Sequence, residues 1–178
     1  MNRLFATRFC FGLLLISLLT SCDQIEQLIK QEAEPVVFLN GAFSVVKPAS
    51  WLTMDDLNDE ADLQMGNIFK EAYVIVLTES KQDFENIGLH EHSDLTRSGV
   101  KEVLKNYQES PPENFDIGGY PALRYQLSGS IDSLKIVYWH VTIETNDHFH
   151  QMLLWSLPSK FDGNKADFSA VIQSFKVL

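Results

Sequence analysis

The sequence predicts an α+β fold: a mostly antiparallel β-sheet flanked by helices. Three observations carry that expectation. Leu134 to Glu144 and His148 to Leu157 form two long β-type segments separated only by Thr145-Asn146-Asp147. In the first of them Val137, Trp139, Val141 and Ile143 share one side while Tyr138, His140, Thr142 and Glu144 share the other, the alternation of a strand. Helical spacing occurs in only two windows of the domain, within Leu89 to Asn106 and after Pro158, as expected when helices cover a sheet.

In chain order, the first segment is not part of the fold. Arg3 and Arg8 precede the apolar run Phe9 to Leu19, broken only by Gly12 and Ser17, the charged and hydrophobic regions of a secretory signal. A membrane-crossing helix needs about 20 apolar residues, and this run is far shorter before Thr20, Ser21, Cys22 and Asp23. It closes in Leu19-Thr20-Ser21-Cys22, which resembles the lipobox of bacterial lipoproteins. The resemblance implies that residues 1–21 are removed and that Cys22 is lipidated. A single acyl chain anchors marginally, whereas two or three anchor stably. Asp23 resembles the inner-membrane retention signal of enterobacterial lipoproteins, so it tilts the choice between inner and outer membrane slightly toward the inner. The chain is expected to be lipid-anchored in the cell envelope, facing the periplasm.

Composition agrees. Cys10 leaves with the signal and Cys22 is consumed by the anchor, and these are the two cysteines of the chain. The mature domain then lacks disulfides, thiolate metal sites and cysteine nucleophiles. Removing Arg3 and Arg8 leaves 12 Lys and Arg (14 − 2) against 24 acids, a charge of −12. That sign excludes a nucleic-acid partner and argues against a domain lying flat on anionic lipid through a basic patch.

Residues 22–35 are expected to be the lipidated cysteine and a polar tether, in which Ile25, Leu28 and Ile29 recur at helical spacing and Pro35 closes the segment. The domain is expected to span 36–178. Val36 to Leu39 followed by Asn40-Gly41 and the alternation at Phe43 and Val45 predict an opening β-hairpin. An acidic loop from Asp55 to Asp62 separates two further strands. Val100, Val103 and Leu104 place a helix within Leu89 to Asn106, weakened by Gly99. Pro111-Pro112 interrupts the chain, Gly118-Gly119-Tyr120-Pro121 turns it, and Ala122 to Leu127 restarts a strand. Ser128-Gly129-Ser130 reads as another turn. Phe161, Phe168, Val171 and Ile172 predict a C-terminal helix with Asp167 in its first turn.

Three motifs then coincide: Phe43-x-Val45-x-Lys47-Pro48-x-x-Trp51, Gly118-Gly119-Tyr120-Pro121-Ala122-Leu123-Arg124, and Phe168-x-x-Val171-Ile172-x-Ser174-Phe175. Together they resemble the PsbP-like domains and the similar DcrB-like bacterial lipoproteins, over roughly residues 36–178. Ala49-Ser50 departs from the pattern, which often has glycine before Trp51. The resemblance implies a PsbP-like sandwich and an accessory or interaction role with a protein partner; it carries over no catalytic residue and no cofactor.

The remaining candidates are weighed on residue chemistry. His148 and His150 lie two apart on one strand and His140 on its neighbour, so hairpin register decides whether they meet. A three-residue turn brings His140, His148 and His150 to one face with Glu144, a zinc or copper constellation. A two-residue turn sets His150 opposite Ile143 and sends His140 to the other side. His90 and His92 beside Glu91 and Asp94 are expected on a solvated loop or helix start. Asp56, Asn58 and Glu60 imitate a calcium loop, but Ala61 and Asn67 stand where its glycine and glutamate belong. No phosphate loop, His-Glu-x-x-His or Gly-x-Ser-x-Gly motif is present. The expectation is therefore a non-catalytic module without cofactor, the alternative being a metal-binding protein or metal-dependent enzyme using His140, His148 and His150. A third reading has Trp51, Trp139 and Trp155 lining an apolar cleft, although core positions come first for them.

Overall fold

The structure, a computed structural model, describes residues 32–178. The signal segment 1–21, Cys22 and the tether through residue 31 lie outside the described residues. Residues 32–178 form one compact unit.

Eleven strands and two helices follow one another. The strands are β1 (Glu34–Phe38), β2 (Phe43–Lys47), β3 (Leu52–Thr53), β4 (Leu63–Asn67) and β5 (Ala72–Ser80), then, after helix α1 (Leu89–Val103), β6 (Lys105–Glu109), β7 (Glu113–Ile117), β8 (Tyr120–Ile131), β9 (Leu134–Glu144) and β10 (His148–Ser156). Helix α2 (Pro158–Gln173) leads into β11 (Lys176–Val177). The large sheet has the order β3-β4-β5-β10-β9-β8-β6, with β7 also on β8, and β1-β2-β11 form a small sheet. All recorded pairings are antiparallel.

One face of the large sheet meets α2 and the small sheet. Trp139, Val141 and Ile143 of β9, Met152 and Leu154 of β10 and Val74 and Val76 of β5 pack there against Phe161, Phe168, Val171 and Ile172 of α2. Pro158 opens α2, where its fixed φ is preorganised and its missing N–H costs nothing. The buried stripe Phe161, Asn164, Phe168, Val171 and Ile172 keeps helical spacing, and Asn164 Nδ2 is satisfied by Ser156 Oγ and the Lys70 carbonyl, both at 3.0 Å. The other face meets α1, over Leu123, Tyr125 and Leu127 of β8.

Several expectations are corrected. The first strand begins before residue 36, because β1 starts at Glu34 and includes Pro35; β1 is an edge strand, where a residue without an N–H is tolerated. Asp167 falls in the middle of α2, not its first turn, and there it accepts from Trp51 Nε1 (3.2 Å) and Lys70 Nζ (2.7 Å). Ser128-Gly129-Ser130 is not a turn but the interior of β8. Gly129 is required by packing: a Cβ there would sit 2.9 Å from Leu104 Cβ, where α1 hands over to β6. Strands β6, β7 and β11 were not anticipated. Ser110 joins the first two to β8, its N–H donating to the Gln126 carbonyl and its Oγ accepting from the Gln126 N–H, both at 2.9 Å.

Candidate functional site

The β9–β10 hairpin closes through Asn146-Asp147. The Thr145 N–H donates to the His148 carbonyl at 2.9 Å, and the register is Phe149 with Glu144, His150 with Ile143 and Gln151 with Thr142. This is the two-residue turn, so His140 and His150 occupy opposite faces of the sheet. The metal constellation of His140, His148 and His150 is not assembled, and among the described residues no cluster of three His, Cys, Asp or Glu is placed to hold an ion.

Each histidine has a different employment. His150 is buried on the α2 side, 4.4 Å from the Phe43 ring and 4.9 Å from Phe175. Its Nδ1 lies 3.0 Å from Thr78 Oγ1 and its Nε2 3.4 Å from Thr145 Oγ1, so both ring nitrogens have partners. Burial, with His148 and His92 nearby, pushes its pKa down to about 3. His148, half-buried, rests 5.5 Å from Phe43.

The opposite face carries an unexpected polar layer. His92 is not at a solvated helix start; it is fully buried, stacked on Phe149 at 4.3 Å. Helix phase explains this, since Leu89, His92, Ser93, Thr96 and Val100 form the inner stripe of α1 and three of the five are polar, which hides the stripe from a hydropathy reading. A carboxylate can only accept, so His92 Nε2 donates to Glu79 at 2.8 Å. Thr96 Oγ1 spends its single hydrogen on the His92 carbonyl (3.1 Å) and therefore accepts from His140 Nε2 (3.0 Å). Both rings are thereby oriented, and His92 Nδ1, His140 Nδ1 and Thr142 Oγ1 are buried with no hydrogen-bond partner among the described residues. Burial first, then Arg97 and His92, push the His140 pKa down to about 3. The helix is fixed at its start by the Leu89 N–H donating to Glu144 (3.1 Å), itself paired with Lys81 at 2.6 Å.

The acidic loop is organised by its own hydrogen bonds: Gln64 Oε1 accepts from the Leu57 and Asn58 amides at 2.7 and 3.0 Å, and Asn58 Oδ1 accepts from the Glu60 amide. Of the three tryptophans, Trp51 and Trp139 fill the space between sheet and α2 around Phe168. Trp155 departs from the core expectation. It stands on the opposite face in a cross-strand row with Tyr73 (5.5 Å) and Tyr138 (6.0 Å). Gly66 permits the row, because a Cβ there would lie 2.7 Å from the Tyr73 ring.

That row borders a shallow surface pocket of about 190 Å³ lined by Tyr73, Leu134, Ile136, Trp155, Leu157 and, as a polar edge, Glu71. It opens at the end of the sheet from which the β4–β5 and β8–β9 turns project, since Ala72 pairs with Ser156, Ser156 with Val137 and Val137 with Ser128. A largely hydrocarbon-lined surface framed by Tyr and Trp suits binding to an apolar or amphipathic partner. The sequence signal for it was the alternate register of Tyr73, Tyr138 and Trp155, which share the face opposite the core.

No protein-family model matches the sequence, and no curated protein matches it. Solved structures do match the fold. The cyanobacterial PsbP (CyanoP) of Synechocystis sp. superposes with a TM-score of 0.62 at 12% identity, covering 82% of this chain and 92% of that chain. LpqN of Mycobacterium tuberculosis, described as involved in cell envelope biogenesis, gives 0.62 at 12% identity, with 86% and 96% covered. The Ran-binding protein Mog1p of Saccharomyces cerevisiae gives 0.60 at 11% identity, with 82% and 95% covered. The α+β architecture implied by the sequence resemblance is thus the PsbP/Mog1-like fold; at such identities the likeness establishes fold alone.

Proposed function

We propose that this chain is a lipid-anchored, non-catalytic accessory or binding module of the cell envelope, held at the membrane through Cys22 and facing the periplasm. The observation that carries the reading is the apolar run ending in Leu19-Thr20-Ser21-Cys22, eleven residues before β1 (34 − 22 − 1 = 11). Two further features support it. The buried histidines are committed to orienting and packing α1 and the β9–β10 hairpin, and LpqN, which shares the fold, is described as involved in cell envelope biogenesis. Among the described residues no helix is long and apolar enough to cross a membrane.

Metabolic labelling with an alkynyl fatty acid tests this. The wild-type chain takes up the label and sediments with membranes, whereas Cys22→Ser does neither. A wild-type chain that takes up no label overturns the reading. Cross-linking in intact membranes then recovers a specific protein partner, and an Asp23→Ser variant moves between membrane fractions where Asp23 directs inner-membrane retention.

A further inference from the structure

The start of β1 and the most exposed large apolar side chain, Phe69, lie at the same end of the domain. β1 starts at Glu34, whose carboxylate is 3.2 Å from Lys47 Nζ. Lys47 Nζ donates to the Trp51 carbonyl at 2.8 Å, and Asn67 Nδ2 donates to the adjoining Ser50 carbonyl at 2.9 Å. Asn67 is the last residue of β4, and the next two are Ile68 and Phe69, 58% and 94% exposed at the tip of the β4–β5 hairpin. A few contacts therefore connect the start of β1 to that tip.

The clustering extends beyond the tip. Of the ten large apolar side chains exposed among the described residues, six belong to this end: Leu52, Ile68, Phe69, Val103, Ile131 and Leu134. The pocket with Tyr73 and Trp155 opens among them, and Lys70 flanks Phe69. The acidic loop of residues 55–62 attaches toward the opposite end, where Asp62 accepts from the Thr78 amide at 2.8 Å. An aqueous domain does not ordinarily raise a phenylalanine on a hairpin tip, because burying that ring is worth roughly 1.5–3 kcal/mol. Apolar tips beside Tyr and Trp are the composition of a membrane–water interface, where aliphatic and phenyl side chains enter the acyl boundary and the amphipathic rings sit at the headgroup level.

We infer that Ile68 and Phe69 form a second membrane contact, a wedge that inserts into the leaflet holding the lipidated Cys22 and fixes which end of the domain faces it. The inference rests on the lipid-anchor reading. Eleven residues separate Cys22 from Glu34, a reach of at most about 40 Å, so the anchor keeps the wedge within the membrane's neighbourhood and insertion is intramolecular, with a high effective concentration. A weak wedge is then sufficient. The contact itself is apolar, and the acidic loop attaches toward the far end.

The full-length chain, processed in cells and reconstituted in phosphatidylethanolamine–phosphatidylglycerol vesicles, provides the test. An environment-sensitive fluorophore is placed on Phe69→Cys, and on Asn146→Cys at the opposite end as a control. The expected result is a blue-shifted emission at position 69, quenched about two-fold or more by nitroxide-bearing lipids, with no quenching at 146. Mass spectrometry of the same chain reports the diacylglyceryl group on Cys22. A lipidated chain whose label at 69 stays in water overturns the wedge and leaves the anchor standing; a label shielded from water but not quenched by the lipids reports a second copy on the tip and also overturns the wedge. A chain without the lipid overturns both.

Discussion

The two faces of the large sheet are built from the same strands and covered in different ways. Beneath α2 and the small sheet the contact is mostly hydrocarbon and aromatic, and among its polar groups Asn164 Nδ2 and both ring nitrogens of His150 have hydrogen-bond partners. Beneath α1 the contact runs through His92, Ser93, Thr96, His140 and Thr142, and three buried polar atoms have no partner among the described residues. The first face supplies cohesion, which is non-directional and grows with buried apolar area. The second supplies orientation: a few hydrogen bonds fix where α1 sits, at a desolvation cost that apolar side chains would not incur. Stability and positional specificity are thus assigned to different sides of one sheet.

The largest effect is expected on the cohesive side. Phe168, fully buried against Trp51, Trp139 and Phe161, gives a loss of about 3–5 kcal/mol as Phe168→Ala, read from the urea midpoint at constant slope. A loss below about 1 kcal/mol would place cohesion elsewhere.

Acid comes next, and it engages both faces. His140 and His150 have folded pKa values of about 3, below the ordinary 6.5, so the unfolded chain binds protons that the folded one refuses. Stability is complete above about pH 6.5 and falls as pH drops from there toward 3, by about 1.4 kcal/mol per pH unit for each histidine at most. Urea titrations at pH 7, 6 and 5 measure the slope. His140→Gln removes the share belonging to the α1 face and leaves that of His150; an unchanged slope would show that His140 is protonated in the folded state.

A smaller effect, of opposite sign, is expected at Thr142. Thr142→Val keeps the shape and removes a buried hydroxyl without a partner, and thermal melting is expected to show a gain of about 1 kcal/mol. A loss of that size would mean the hydroxyl is paired in solution. Smallest of all, Phe69→Ser changes stability in solution by no more than about 0.5 kcal/mol, so any loss of membrane contact by this variant is separable from unfolding.

The parts of the fold that were legible are those where burial and periodicity coincide. β9 alternates apolar and polar side chains from Val137 to Glu144, Asn40-Gly41 marks its turn, and the Phe161-to-Ile172 stripe marks α2. The edge strands β6 (Lys-Asn-Tyr-Gln-Glu) and β7 (Glu-Asn-Phe-Asp-Ile) are mostly exposed; with little apolar surface to bury they leave no alternation, and they are strands because β8 offers them a ladder. Ser128-Gly129-Ser130 has turn composition, and only the approach of Leu104 explains its glycine. The histidines were legible as a question of register rather than as an answer, since Thr145-Asn146-Asp147 is compatible with either turn.

What the sequence by itself determined is whatever depends on local order along the chain: the short apolar run before Cys22, the acidic balance, the periods of β9, β10 and α2, and the motif order that implied a PsbP-like domain. The tertiary structure decided what depends on residues distant in the chain coming into contact. It chose the hairpin register that parts His140 from His150, buried His92 beneath α1 against Glu79, and gathered Leu52, Phe69, Ile131 and Leu134 at the end where Glu34 enters. Periodicity specifies which side of an element is buried, but not what it is buried against, because partners distant in sequence are selected by packing and by hydrogen bonds that exist only once the sheet has closed.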